Sequence, residues 1–90
     1  MAIRITKVHF DGPNKTHQAI TRFYSIEDGT ANTFDRDKPT MVAWLDSGIS
    51  AYVASGGSRV PVEVVGDTPP YLRTRANGVL SDNLLSLDTY

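Results

Sequence analysis

Tyr71-Leu-Arg-Thr-Arg-Ala-Asn-Gly-Val-Leu-Ser-Asp-Asn-Leu-Leu-Ser-Leu87 is the stretch whose reading decides the fold. Leu72 and Thr74 alternate with Tyr71, Arg73 and Arg75, the two-residue period of a strand that turns one face inward. Asn77-Gly78 ends that strand, because both residues tolerate the positive φ of a type I′ turn. Ser81-Asp82-Asn83 then offers capping side chains to Leu84-Leu85-Ser86-Leu87, which reads as a short helical turn folded against the edge of the core. A strand, a tight turn and a capped apolar turn in immediate succession belong to a small antiparallel sheet with little spare chain.

Upstream, Asp67-Thr-Pro-Pro70 breaks the sheet. Before it, Val60, Val62 and Val64 lie on one face of a strand over residues 60–65, and Ser55-Gly-Gly-Ser58 joins that strand to another over residues 49–54. The clearest helix lies within Lys38 to Ser47. Asp37 suits its N-cap, Pro39 its first turn and Gly48 its left-handed close, while Met41, Val42, Trp44 and Leu45 form the apolar face. At about ten residues it is too short to persist alone and must dock on the sheet. Residues 27–36 are polar and without sustained periodicity, so they read as a surface connection.

The amino-terminal part forms a hairpin over residues 2–10 and 17–26, joined by the turn-rich loop Asp11-Gly-Pro-Asn-Lys-Thr16. In the first strand Ile3 and Ile5 fall on one face, whereas Val8 and Phe10 fall on the other. A bulge near Thr6-Lys7 reconciles the halves, since one extra residue inverts the facing of all that follows. In the second, Ile20, Tyr24 and Ile26 share a face opposite Ala19 and Phe23. The expected fold is a single α+β domain over residues 1–90: a twisted antiparallel sheet of about five strands in the order ββαβββ, one covering helix and a short C-terminal helical turn. A small β-barrel with an inserted helix is the alternative.

Composition narrows function by exclusion. Nine Lys and Arg against ten Asp and Glu leave a net charge of −1, so no global field draws nucleic acid or an anionic membrane. With no cysteine there is no disulfide framework, thiolate metal site or cysteine nucleophile. The first ten residues lack the apolar core of a signal peptide, and no run approaches the roughly 20 apolar residues of a membrane span, which makes a cytoplasmic protein the expectation.

Each candidate site has a plainer structural reading beside it. Tyr71, Arg73 and Arg75 share one strand face, where an aromatic ring and two guanidinium groups stack on bases and grip phosphates, or form a solvated, salt-bridged surface. Arg22, beside Tyr24, and Arg59 extend the patch if their strands adjoin. His9, Asp11 and His17 flank the first loop, but their spacing matches no metal motif, and two ordinary half-exposed histidines are the expected account. Ser55-Gly-Gly-Ser58 lacks the Lys-Ser/Thr ending of a phosphate loop and is explained as a turn. Asp35 and Asp37 lack the glycine and distal glutamate of a calcium loop. Trp44, on the apolar helix face, is expected in the core.

The closing stretch also carries a resemblance. Tyr71-Leu-x-Thr74, Asn77-Gly78 and Asp82-Asn-Leu-Leu-x-Leu87 resemble the final motif of a family of small, mostly bacterial proteins defined as a domain of unknown function, in which a proline usually follows where Asp88 stands here. The resemblance extends more loosely through Ile3-x-Ile-Thr-x-Val8, Trp44-Leu45 with Gly48, and Val62-Glu-Val-Val65. It implies a compact bacterial or phage domain and supplies no catalytic residue. The expected function is therefore a non-catalytic protein-interaction module, self-association included, with no cofactor, metal or membrane. The alternative is a nucleic-acid-binding module that uses the Arg/Tyr strand face.

Overall fold

The computed structural model describes residues 2–13, 15–55, 57–66, 70–76, 79–81 and 83–90. Its strands are β1 (Ala2–Phe10), β2 (Ile20–Glu27), β3 (Thr33–Asp37), β4 (Ser50–Ser55), β5 (Ser58–Val65), β6 (Tyr71–Ala76), β7 (Val79–Ser81) and β8 (Asp88–Thr89), with the helix α1 (Lys38–Asp46) between β3 and β4. Seven strands follow one path in the order β3-β2-β1-β4-β5-β6-β7, and the two-residue β8 pairs with β1 off that path. The five-strand ββαβββ arrangement is thus overturned, although the protein remains broadly α+β.

The sheet is mixed because of where α1 lies. β1 pairs antiparallel with β2 and β2 with β3, and α1 then carries the chain across to the other side of β1, where β4 must run parallel to it. β3 was expected to be a surface connection. Its one strongly apolar residue, Phe34, gives no hydrophobic stripe, yet Phe34 and Arg36 are half-buried while Thr33, Asp35 and Asp37 are exposed, and the whole segment pairs with β2. The chain does not end on a helical turn either: a 3-10 turn at Asn83–Ser86, with Leu84 buried, leads into β8. The expected Asn77-Gly78 turn and the capping Asp82 lie outside the described residues.

Two irregularities set which side chains face inward. Ile5 pairs with Ser25 and Lys7 with Tyr24, so Thr6 is the extra residue on β1, and Ile3, Ile5 and Val8 all reach the core. At the far end His9 pairs with Arg22 but Phe10 with Ile20, which makes Thr21 the extra residue on β2. This second bulge corrects the expected facing of β2: Ile20, Phe23 and Ser25 are buried together, whereas Tyr24 and Ile26 turn outward. The expectation had no way to see it, because a single bulge already satisfied the pattern of β1.

The concave face of the sheet holds one core, formed by Ile3, Ile5, Val8, Ile20, Phe23, Met41, Val42, Ala51, Val53, Val62, Leu72 and Leu84. The sheet curls until β6 lies against the 3-10 turn His17–Ala19, and α1 touches β2 and β3 on one limb and β5 and β6 on the other. Among the described strands no pairing joins β7 to β3, so the sheet does not close into the alternative barrel; α1 spans the gap. Asp37 caps α1 by accepting from the Thr40 N–H at 3.0 Å. Gly48, at φ +105°, ends it: its N–H bonds to the Leu45 carbonyl and the Ile49 N–H to the Trp44 carbonyl, the two bonds of a Schellman close. Trp44 sits at the rim rather than inside the core, edge-on to Phe34 at 5.3 Å, with the Arg36 guanidinium over both rings.

Candidate functional site

The helix covers one face of the sheet and leaves the other open, so the alternation of each strand determines what the open face displays. Because Ile3, Phe23, Ala51, Val53, Val60, Val62, Leu72 and Thr74 point inward, their neighbours Arg4, Arg22, Tyr24, Tyr52, Arg59, Glu63, Tyr71, Arg73 and Arg75 point outward. Lys7 joins them after the bulge at Thr6, and Tyr90 lies against Tyr24. All four tyrosines of the chain (Tyr24, Tyr52, Tyr71 and Tyr90) and six of its nine basic residues (Arg4, Lys7, Arg22, Arg59, Arg73 and Arg75) are therefore on this face.

Three polar clusters organise it. Across β3, β2 and β1, Asp35 Oδ1 accepts from Arg22 Nε at 3.0 Å and from the Tyr90 hydroxyl at 2.7 Å. The Tyr90 ring contacts those of His9 and Tyr24, both at 6.0 Å between centroids; its main-chain oxygen bonds to His9 Nδ1, and Lys7 Nζ lies 5.3 Å from the Tyr24 ring centre. The hydrogen bond from Tyr90, and then that from Arg22, hold the Asp35 carboxyl below the usual carboxylate range. Desolvation, and then the hydrogen bond to Asp35, push the Tyr90 phenol up to about 12.

The second cluster ties the turn after β2 to the β4–β5 hairpin. Tyr52 donates to Asp28 Oδ1 at 2.5 Å, Arg59 Nη1 donates to Asp28 Oδ2 at 3.1 Å, and the Arg59 guanidinium lies 4.4 Å from the Tyr52 ring centre. The hydrogen bond to Asp28 raises the Tyr52 phenol. In the third, on β5 and β6, Arg75 Nε donates to Glu63 Oε2 at 2.8 Å, and Arg73 stands opposite Glu63 in register. All three ion pairs are open to solvent, so they contribute little to stability and act chiefly to fix the directions of their arginines.

The five residues singled out from sequence thus share one face but not one patch. Tyr71, Arg73 and Arg75 sit on β6, Arg59 on the adjacent β5, and Arg22 on β2, separated from them by β1 and β4. Arg22, Arg59 and Arg75 each hold a carboxylate that a phosphate would have to displace. The sequence gives no sign of Asp28, Glu63, Tyr52 and Tyr90, and weighs Asp35 only for calcium, because their partners depend on which strands adjoin. A weak signal was available for Asp35, which alternates with Phe34 and Arg36.

Elsewhere the surface offers less. Among the described residues no group of three or more His, Asp or Glu is placed to hold a metal; His17 is buried, whereas His9 lies at the surface against Tyr90. A cleft of ≈ 260 Å³ lined by Lys38, Pro39, Val42 and Pro70 is below the roughly 300–1,000 Å³ of ordinary small-molecule sites. Among its described lining residues the one charged side chain, Lys38, donates to the Gln18 carbonyl at 2.8 Å. Among the described residues no helix is long and apolar enough to cross a membrane.

No curated protein and no solved structure matches the chain. Residues 4–88, which run from within β1 to the start of β8, match the family described as "Protein of unknown function (DUF3892)", and the chain belongs to that family.

Proposed function

We propose that this protein is a non-catalytic interaction module that docks through the open face of its sheet, and that the partner it takes there is a second copy of itself. The observation that carries the reading is the concentration of all four tyrosines and six of nine basic residues on the one face that the helix leaves bare. Tyrosine and arginine are the residues that most often anchor protein interfaces, since each combines a large apolar body with directed polar groups. The carboxylates of Asp28, Asp35, Asp37, Glu63 and Asp88 are interspersed among the six cations, so the face is nearly neutral and alternates in sign. Such a surface is complementary to itself across a two-fold axis, whereas a polyanion meets arginines already engaged.

The cellular setting we infer is the bacterial or phage cytoplasm, with Tyr71–Leu87 as the family's closing motif. Sedimentation of the purified chain from micromolar to several hundred micromolar tests the function. The expected result is a reversible dimer that Tyr71→Ala combined with Arg73→Ala weakens at least tenfold. A monomer at every concentration refutes it. A salt-sensitive mobility shift with single-stranded oligonucleotides, lost in Arg73→Ala/Arg75→Ala, would instead favour a nucleic-acid module.

A further inference from the structure

β1 has an edge that two separate segments share. On the side away from β2, β4 pairs only with Ala2, Ile3 and Arg4, and beyond them the described residues place only β8 there, at Lys7 and Val8. This second neighbour is an exposed two-residue strand that runs parallel to β1. Its connections are mainly polar: the Tyr90 N–H donates to the Val8 carbonyl at 3.2 Å, the Tyr90 main-chain oxygen bonds to His9 Nδ1, and the Tyr90 hydroxyl reaches Asp35. Tyr90 itself is 40% exposed. A segment with so little buried apolar area opens at low cost compared with the rest of the sheet. When it lifts, the Val8 main-chain groups, which face this edge while those of Lys7 and His9 face β2, are left unpaired beside a docking place for an aromatic ring, and these are the two parts of a β-augmentation site.

We propose that the edge of β1 at Lys7–His9, together with Tyr24 and Asp35, is a recognition site for an extended peptide segment that carries a tyrosine, and that Asp88–Tyr90 occupies it in cis as a displaceable stand-in. A partner segment adds as a parallel strand opposite Lys7 and Val8, with main-chain bonds to Val8. Its tyrosine ring lies between His9 and Tyr24, and its phenol donates to Asp35, which Arg22 holds in position. Selectivity follows from the geometry: the main-chain bonds accept any extended segment, whereas the Asp35 carboxylate rewards a phenol over a plain phenyl ring. Occupation in cis makes the apparent affinity of any partner lower than the intrinsic one by the fraction of time that the tail is open. The site lies at the opposite limb of the open face from Tyr71 and Arg73; it shares Tyr24, Tyr90, Arg22 and Asp35 with the docking face proposed above, but it is read by peptide binding at the β1 edge and not by self-association, so either can fail without the other.

The test is an NMR titration with the acetylated and amidated tetrapeptide Leu-Asp-Thr-Tyr, which corresponds to residues 87–90. Tyr90→Pro removes the donor to Val8, the ring and the phenol at once, and so vacates the site in the full-length chain. The expected result is saturating shifts at the Lys7, Val8 and His9 amides at low millimolar peptide, the range of effective concentration against which a short flexible tail competes. The parent chain should bind at least ~10-fold more weakly because its own tail competes. The Leu-Asp-Thr-Phe peptide should bind several-fold more weakly to the variant, for want of the bond to Asp35. Tyr90→Ala, which retains the main-chain donor, should fall between parent and Tyr90→Pro and keeps the test meaningful if the proline disturbs folding. Equal affinity for parent and variant, equal affinity for the Leu-Asp-Thr-Ala tetrapeptide, or shifts that tyrosinamide alone reproduces would each overturn the proposal.

Discussion

β1 has two parallel neighbours on one edge, and they are held in opposite ways. β4 pairs with its first half, where Ile3 and Ala51 are register partners and both are buried, and α1 packs across the curled sheet that β4 helps to form. β8 pairs with its second half, where Asp88 and Thr89 are exposed and the strongest ties are hydrogen bonds from Tyr90. The same strand is thus fixed by burial at one end and by polar contacts at the other. Burial binds a segment to the global stability of the domain, because loss of its apolar contacts is felt throughout the core. Exposed hydrogen bonds exchange readily with water and leave a segment able to open by itself.

The comparison breaks first at Ile3. Ile3→Ala should destabilise the protein by about 2–5 kcal/mol, as for other large aliphatic residues truncated in a packed core, and the denaturant midpoint should fall without a change in slope. A loss well below 1 kcal/mol would mean that the β4 side is not held by burial. Asp37→Ala should come next, since it uncaps the helix that carries the chain from β3 to β4; the melting temperature should fall, but less than for Ile3→Ala, and Asp37→Asn, whose amide oxygen still accepts from the Thr40 N–H, should keep most of the parent's stability. Tyr90→Ala should have a much smaller global effect. It should accelerate amide exchange at Val8, whose main-chain groups face β8, while leaving the exchange of Ile3 and Val53 unchanged; if Tyr90→Ala lowers protection throughout the sheet, the two flanks are not separate units.

Much of the β4 side was legible in the sequence because its signals are local. Asp37, Pro39 and Gly48 bracket a helix whose ends follow from capping chemistry, and the alternating Ala51, Val53, Val60 and Val62 mark strands that bury one face. The bulge at Thr6 was legible for the same reason, since Ile3, Ile5 and Val8 could not otherwise share a core. β3 and β8 were not legible. Each is a strand because a neighbour offers it unpaired main-chain groups, and neither Phe34 alone nor Asp88-Thr89 provides a periodic apolar pattern to betray that. The second bulge, at Thr21, is likewise set by pairing at Phe10 and Ile20 rather than by any residue of β2. Of the candidate site, the outward facing of Tyr71, Arg73 and Arg75 follows from strand period alone. That Arg22 meets Asp35 and Tyr90, and Arg59 meets Asp28 and Tyr52, depends on a topology in which α1 separates β3 from β4, which no local pattern encodes.

The smallest effect, and the most specific to the β8 side, is its dependence on pH. The folded Tyr90 phenol titrates at about 12, above the value of about 10 for an unconstrained tyrosine. Because the folded value is raised, closure of the tail gains from the protonated phenol below about pH 10, and that gain is lost as pH rises from about 10 toward 12. Asp35 behaves in the opposite sense: its folded value is lowered by Tyr90 and Arg22, so its contribution is present above about pH 4 and is lost as pH falls through the lowered value. Asp88–Tyr90 should therefore be closed across the neutral range and loosen at both extremes, while the β4 flank, which burial of Ile3 and Ala51 holds in addition to the Tyr52–Asp28 hydrogen bond, should not open with it. Absorbance at the tyrosinate band checks the alkaline limb. The parent should retain a tyrosine that resists ionisation well above pH 10, and Tyr90→Phe should lose that late component, leaving only the smaller delay of Tyr52. Asp35→Asn should shift the Tyr90 component back toward lower pH, because its amide leaves no carboxylate to disfavour the phenolate. If the late component survives in Tyr90→Phe, the phenol is not held at Asp35, and the tail is fixed by its main-chain bonds alone.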